Sequence, residues 1–171
     1  LLHQWVRECE KFGIKPLSLA GLQRKKKVSL INKSLRRLKH GYNKIEVIIG
    51  TNDALKDEEY SKILSSIDCK SLLIADEVHN LGTENFLDDA PEFFDFRLGL
   101  SATPEKQYND EMTERMIGYF GPIVFRYGLA NAIGEKAAPQ DVDVSLMVLA
   151  AKKHNSGMDV VLVSDDYKMA T

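Results

Sequence analysis

The chain has 171 residues, 44% of them hydrophobic and 28% charged, with a formal net charge of -2. It reads as one soluble globular domain, or one and a fraction, with enough length for a real core. The near-neutral charge excludes a global pull toward nucleic acid, so any basic surface has to be local.

No apolar run is long enough for a membrane span and no signal-peptide pattern occurs. Cys9 and Cys69 sit in no metal-ligand or redox spacing, so a reduced, cytoplasmic setting is expected.

Leu2, Trp5, Val6, Cys9 and Phe12 fall on one face of a helix that Gly13 stops, and Trp5 reads as core there. Residues 14–20 read as a short strand interrupted by Pro16, hence near a sheet edge. From Gly21 to Lys44 the chain carries Arg24, Lys25, Lys26, Lys27, Lys33, Arg36, Arg37, Lys39 and Lys44 and no acid. Leu30, Ile31, Leu35 and Leu38 give this stretch one apolar side, which predicts a helix packed on one face and cationic on the other. A solvated helix face and a contact to a phosphate backbone both account for the charge. Tyr42 is the sole aromatic in the stretch, so base stacking is not indicated.

Residues 45–51 form the next buried strand, and residues 52–66 a helix, with Asp57, Glu58 and Glu59 suited to a helix amino end. Then Leu72, Leu73, Ile74 and Ala75 run into Asp76, Glu77, Val78 and His79. So short an apolar run suits a parallel strand buried on both faces. Its acids then fall at the carboxyl end, the edge where open α/β sheets bind ligands. An Asp there can hold Mg²⁺ through its water shell, and a neighbouring Glu can polarise an attacking water. A buried strand capped by a solvated acidic turn is the other account.

Thr83 can cap a short helix containing Glu84. A second apolar strand starts at Phe96 and ends in Ser101-Ala102-Thr103-Pro104. Residues 111–120 predict a helix ended by Gly121-Pro122, residues 123–127 a strand, and residues 129–133 a short helix. In the tail, residues 141–150 lead into a helix and residues 158–167 give a strand ending in acids.

ADEVHNLG followed by RLGLSATPE resembles motifs II and III of the superfamily 2 helicases and translocases. The wording is most similar to the DEAH/DEVH branch of restriction-type and repair-type DNA helicases, and less to the RNA-directed DEAD-box branch. LLHQWVRECEKFGI resembles the segment around motif Ia, Gly50-Thr51 resembles motif Ib, and YFGPIVFRYGLANAIGE resembles the end of the first motor domain. The resemblance thus covers residues 1–135.

It implies an α/β fold, a mostly parallel RecA-like sheet of P-loop NTPase type flanked by helices and incomplete at its amino terminus. It implies an ATP-dependent DNA helicase or translocase with ATP and Mg²⁺ as cofactors, and DNA rather than RNA as partner. A second RecA-like motor domain would be a further partner, missing from this chain. On this resemblance Asp76 positions Mg²⁺ through water, Glu77 activates the attacking water, and His79, Ser101 and Thr103 couple hydrolysis to strand movement. Gln4, Trp5, Gly50 and Thr51 would track the nucleic acid, and Lys25, Lys26, Arg36 and Arg37 are candidates for phosphate contacts. The family also carries, ahead of motif Ia, a strand and a Gly-rich loop ending in Lys and Ser or Thr, which cradles phosphates. These residues hold no such loop, so the chain as given is expected to hydrolyse ATP poorly or not at all.

Residues 136–171 resemble the latter half of a PIN-type metal-dependent nuclease domain, with Asp143 and Asp166 matching its metal-binding acids. The start of a second motor domain and a generic helix–strand tail are the alternatives. In each case the segment is too short for a core of its own and has to pack on residues 1–135 or stay loose. Two further functional readings stand beside the motor. One is a non-catalytic nucleic-acid-binding remnant using the basic stretch; the other is a metal-dependent nuclease using the tail acids.

Overall fold

The computed structural model describes residues 2–66, 68–101, 110–125, 147–152 and 160–165. Helix α1 (Leu2–Lys11) leads to the two-residue strand β1 (Leu17–Ser18), helix α2 (Arg24–Lys39) and strand β2 (Glu46–Thr51). Helices α3 (Asn52–Leu55) and α4 (Glu58–Ser65) precede strand β3 (Ser71–Ala75), a single 3-10 turn (Val78–Leu81) and helix α5 (Glu84–Asp88). Strand β4 (Phe96–Ser101), helix α6 (Asp110–Phe120) and strands β5 (Ile123–Phe125), β6 (Met147–Lys152) and β7 (Val160–Asp165) follow.

All seven strands join one mixed sheet in the order β1-β2-β7-β3-β4-β6-β5. The run from β1 to β4 is parallel throughout, and β6 is antiparallel to both β4 and β5. The tail therefore builds into the sheet: β7 is paired on both sides, matching Val161 to Val47 and to Leu72. Where the sequence leads toward a helix, Met147–Lys152 is a strand, because the backbone of β4 offers it a six-residue ladder from Ser101 to Phe96. The short helix expected at 129–133, and the last two residues of the strand expected at 123–127, lie outside the described residues.

Strand alternation divides the core in two. Ile48, Leu73 and Ala75 face a large cluster with Ile31, Leu64, Leu81, Phe86 and Phe120 from the helices of one layer. Val47 and Ile49 face the other way and pack with Leu2, Trp5, Val6 and Ile74, so that α1 covers the second face. Phe120, Ile31, Ile48, Ile49, Leu73 and Leu81 are fully buried. Each such side chain contributes about 1.5–3 kcal/mol of transfer free energy. Pro16 confines β1 to two residues at the sheet's outer edge, as a missing N–H requires.

The segment 52–66 is two helices rather than one. Asp57 breaks it by acting as the amino cap of α4, accepting from the N–H groups of Glu59 and Tyr60 at 3.0 and 3.4 Å. Arg24, from the first turn of α2, grips the same carboxylate with Nε and Nη2, both at 2.8 Å. That guanidinium holds the Asp57 carboxyl below its usual value. Among the described residues no helix is long and apolar enough to cross a membrane.

Candidate functional site at the carboxyl edge of the sheet

Parallel strands deliver their carboxyl ends to one edge, which gathers Thr51, Asp76 and Ser101 from β2, β3 and β4. Ala75 points into the large core and Ile74 toward α1, so the next position along β3 again meets α1. Trp5 Nε1 donates to Asp76 Oδ2 at 3.0 Å, and the Glu77 N–H donates to Asp76 Oδ1 at 3.0 Å. Gln4, Trp5, Glu8 and Asp76 line a cleft of about 180 Å³ beside this contact.

Glu77 is the one non-glycine with positive φ among the described residues, at φ 46° and ψ 47°. A left-handed conformation costs a side-chain-bearing residue about 1 kcal/mol or more. The reversal it makes sends Val78 and Leu81 into the large core and leaves His79 between them, aimed at the end of β4. His79 Nδ1 lies 3.2 Å from Glu77 Oε2 and 3.0 Å from Ser101 Oγ. Nδ1 thus sits between a carboxylate and a hydroxyl from two different strand ends, and can donate to either in the tautomer that carries its proton there. Strain at one residue is retained where it sets three side chains in contact.

The other candidates fall in different places. Thr103, Asp143 and Asp166 lie outside the described residues. Gly50 is buried, and an added Cβ would meet Ala54 Cβ and Leu19 Cδ1 at 3.5 Å, ordinary contact distance. Thr51 is half-buried and Gln4 exposed. Helix α2 connects parallel neighbours, so it runs back along the sheet from the carboxyl edge to the amino edge. Lys25 and Lys26 therefore stand near Thr51's edge, while Arg36 and Arg37 stand roughly 16 Å further along the helix axis. The basic stretch is two poles, not one patch.

Sequence reasoning missed the Trp5–Asp76 bond, which joins residues 71 positions apart. The signal for it was the indole itself, whose N–H seeks an acceptor wherever the ring is buried.

Residues 1–106 match the family described as the type III restriction enzyme, res subunit. The chain belongs to that family. Neither a curated protein nor a solved structure matches it. Membership in the res-subunit family brings, in general terms, helicase-like, ATP-dependent work on DNA, and that family generally uses ATP and Mg²⁺.

The site residues of this res-subunit chain fit such an ion in part. Among the described residues no group of three or more His, Cys, Asp or Glu could cage a metal. Mg²⁺ seldom needs one, since it keeps most of its waters and takes one or two carboxylates plus phosphate oxygens. Asp76 suits that role, because each of its oxygens accepts one N–H and keeps lone-pair capacity for a hydrated cation.

Proposed function

We propose that this chain is the catalytic-acid part of a DEAH/DEVH-type motor, with residues 1–135 belonging to the first RecA-like domain of an ATP-dependent DNA helicase or translocase. One observation carries the reading: Asp76 and Glu77 end β3 at the ligand edge, and His79 bridges Glu77 to Ser101 at the end of β4.

In this reading Asp76, oriented by Trp5 and the Glu77 N–H, would hold a hydrated Mg²⁺. Bound Mg²⁺ would offset the charge that builds on the phosphates during transfer. Glu77 accepts the proton of the attacking water at its carboxylate. The resulting loss of negative charge is felt by His79, 3.2 Å away, which then redistributes its hydrogen bonding toward Ser101. Thr103 would continue that route toward the strand. Gln4, Trp5, Gly50, Thr51, Lys25 and Lys26 would serve the nucleic acid at this edge. A second motor domain would supply the arginine that completes catalysis.

The sequence holds no Gly-rich loop ending in Lys-Ser/Thr, so hydrolysis by these residues alone should be weak or absent. Sequencing the coding DNA upstream of Leu1 tests the reading directly. A strand and such a loop in frame support it, and the extended protein should then hydrolyse ATP when DNA is added. Glu77→Gln should lower that turnover about 100-fold or more, as expected for loss of a general base. Full turnover in the variant would remove Glu77 from the chemistry.

A non-catalytic nucleic-acid-binding role is the second reading, favoured by the exposed Lys25 and Lys26 at the carboxyl end of β1. It predicts binding that weakens steeply with salt and ignores nucleotide. A nuclease centred on Asp143 and Asp166 has no observation behind it.

A further inference from the structure

At the amino edge of the sheet, away from Asp76, the end of α2 and the residues before β2 and β3 enclose a cleft of about 810 Å³. Arg36, Lys39 and Lys44 line it with exposed cationic groups, opposed by the single lining acid Asp68. Helix α2 closes over this cleft with a left-handed Gly41 at φ 71°. The Gly41 N–H donates to the Leu38 carbonyl and the Tyr42 N–H to the Arg37 carbonyl, both at 2.9 Å. This is a Schellman turn, and the residue in Tyr42's position usually folds its side chain back onto the helix.

Tyr42 does not. The residue is 76% exposed, on a turn pinned by these two hydrogen bonds, and its ring lies 6.3 Å from that of His40 between centroids. The turn is braced further by Asn43, which donates to the buried Glu46 carboxylate and accepts from Arg37. Ser34 Oγ donates to the same carboxylate at 2.6 Å. Tyr42 stands on this braced turn between Gly41 and Asn43, which both line the cleft. An open aromatic residue beside a cleft lined by three cations is the composition of a single-strand nucleic-acid platform.

We infer that the α2–β2 turn is a single-stranded nucleic-acid site, in which a base stacks on Tyr42 and the flanking phosphates meet Arg36, Lys39 and Lys44. It does not depend on nucleotide hydrolysis and is separate from the strand contacts proposed at the carboxyl edge. Those begin about 17 Å away, the length of β2.

The test is fluorescence anisotropy of a labelled twelve-nucleotide oligo(dT) with the whole 171-residue chain. Tyr42→Ala should weaken binding about tenfold, and Tyr42→Phe, which keeps the ring, should restore it. Removing two charges with Lys39→Gln/Lys44→Gln should make the plot of log affinity against log salt shallower by about 1.4. The Tyr42→Ala loss should persist in a Lys25→Gln/Lys26→Gln background, which separates this site from the carboxyl edge. An abasic oligonucleotide of equal length should bind the wild-type chain about as weakly as oligo(dT) binds Tyr42→Ala. Equal binding of abasic and normal strands, or of inorganic polyphosphate, would make the cleft a general anion site and overturn the inference. An unchanged affinity in Tyr42→Ala would also overturn it, and melting curves of that variant confirm that an exposed ring was removed without unfolding.

Discussion

Glu77 sits at φ 46° and ψ 47°, where a Cβ crowds its own carbonyl and glycine does not. Replacing it by Gly and by Ala removes the same carboxylate in both cases, so the difference between the two variants isolates the backbone. Gly gains freedom in the unfolded chain, which offsets part of its advantage, by about 0.4–1 kcal/mol. Ala bears the left-handed cost of about 1–2 kcal/mol in the folded state. The net expectation is that Glu77→Gly exceeds Glu77→Ala in stability by about 1 kcal/mol. For a chain of this size that is roughly 2–4 °C in melting temperature. The contact with His79 is lost equally in both, and at 38% side-chain exposure on the Glu77 side it adds little in any case. Circular-dichroism melts with parallel urea titrations supply the measurement. Equal stability of the two variants, or a more stable Ala variant, would refute a left-handed residue at this position.

Trp5→Phe keeps the ring's packing against Val47 and Ile49 but removes the N–H from Asp76, and should cost about 1–2 kcal/mol in urea unfolding; an unchanged midpoint would mean that the bond contributes nothing. Phe120→Ala, at a side chain with no exposed surface, should cost about 3–5 kcal/mol, and a loss below 1 kcal/mol would contradict its place in the core. Stability should hold steady above the usual carboxylate range and fall as pH drops below about 4. Asp57 is held low by Arg24; Asp95 is raised by burial but held low on balance by the Ser71 N–H and Lys70. Both carboxylates are depressed in the folded state, so protonating them favours the unfolded chain, and Arg24→Gln should make the acid slope shallower.

The strands were legible in the sequence because parallel strands buried on both faces leave continuous apolar runs. SLLIA and RLGLS are such runs, and the acids that end the first mark where it leaves the sheet. The faces of α1 and α2 were legible for a similar reason, since one-sided burial repeats every three to four residues; Phe12 is the exception, lying past the end of α1 and exposed rather than on its packed face. The split of 52–66 was not, because it depends on Arg24 reaching Asp57 from another helix and making a cap out of what local propensity reads as a helical acid. Nor was the placement of β7 between β2 and β3, or of β6 beside β4: a strand's periodicity names its faces but not its neighbours. Tyr42 shows the limit most clearly. A single aromatic in a basic stretch carries little weight as composition, and gains it only once the Gly41 turn is seen to hold the ring in solvent.

The end of β3 faces two ways, and a single peptide divides them. Asp76 follows the alternation of Ile74 and meets Trp5 on the α1 side; the left-handed Glu77 turns the chain so that its carboxylate meets His79 on the other side. Neither neighbour could reach both acids, because α1 and the 3-10 turn lie on opposite faces of the sheet. Under the proposed reading this separates two duties that would otherwise compete for the same lone pairs: orienting a hydrated cation and passing on a proton's arrival. Under the same reading, α1, proposed to track the strand, lies one hydrogen bond from Asp76, proposed to hold the cation. A nucleic acid drawing on Gln4 and Trp5 would then act on Asp76 directly, without passing through His79 or Ser101. The physical demand of that arrangement is a sharp reversal between adjacent acids, and the strained backbone at Glu77 is what meets it.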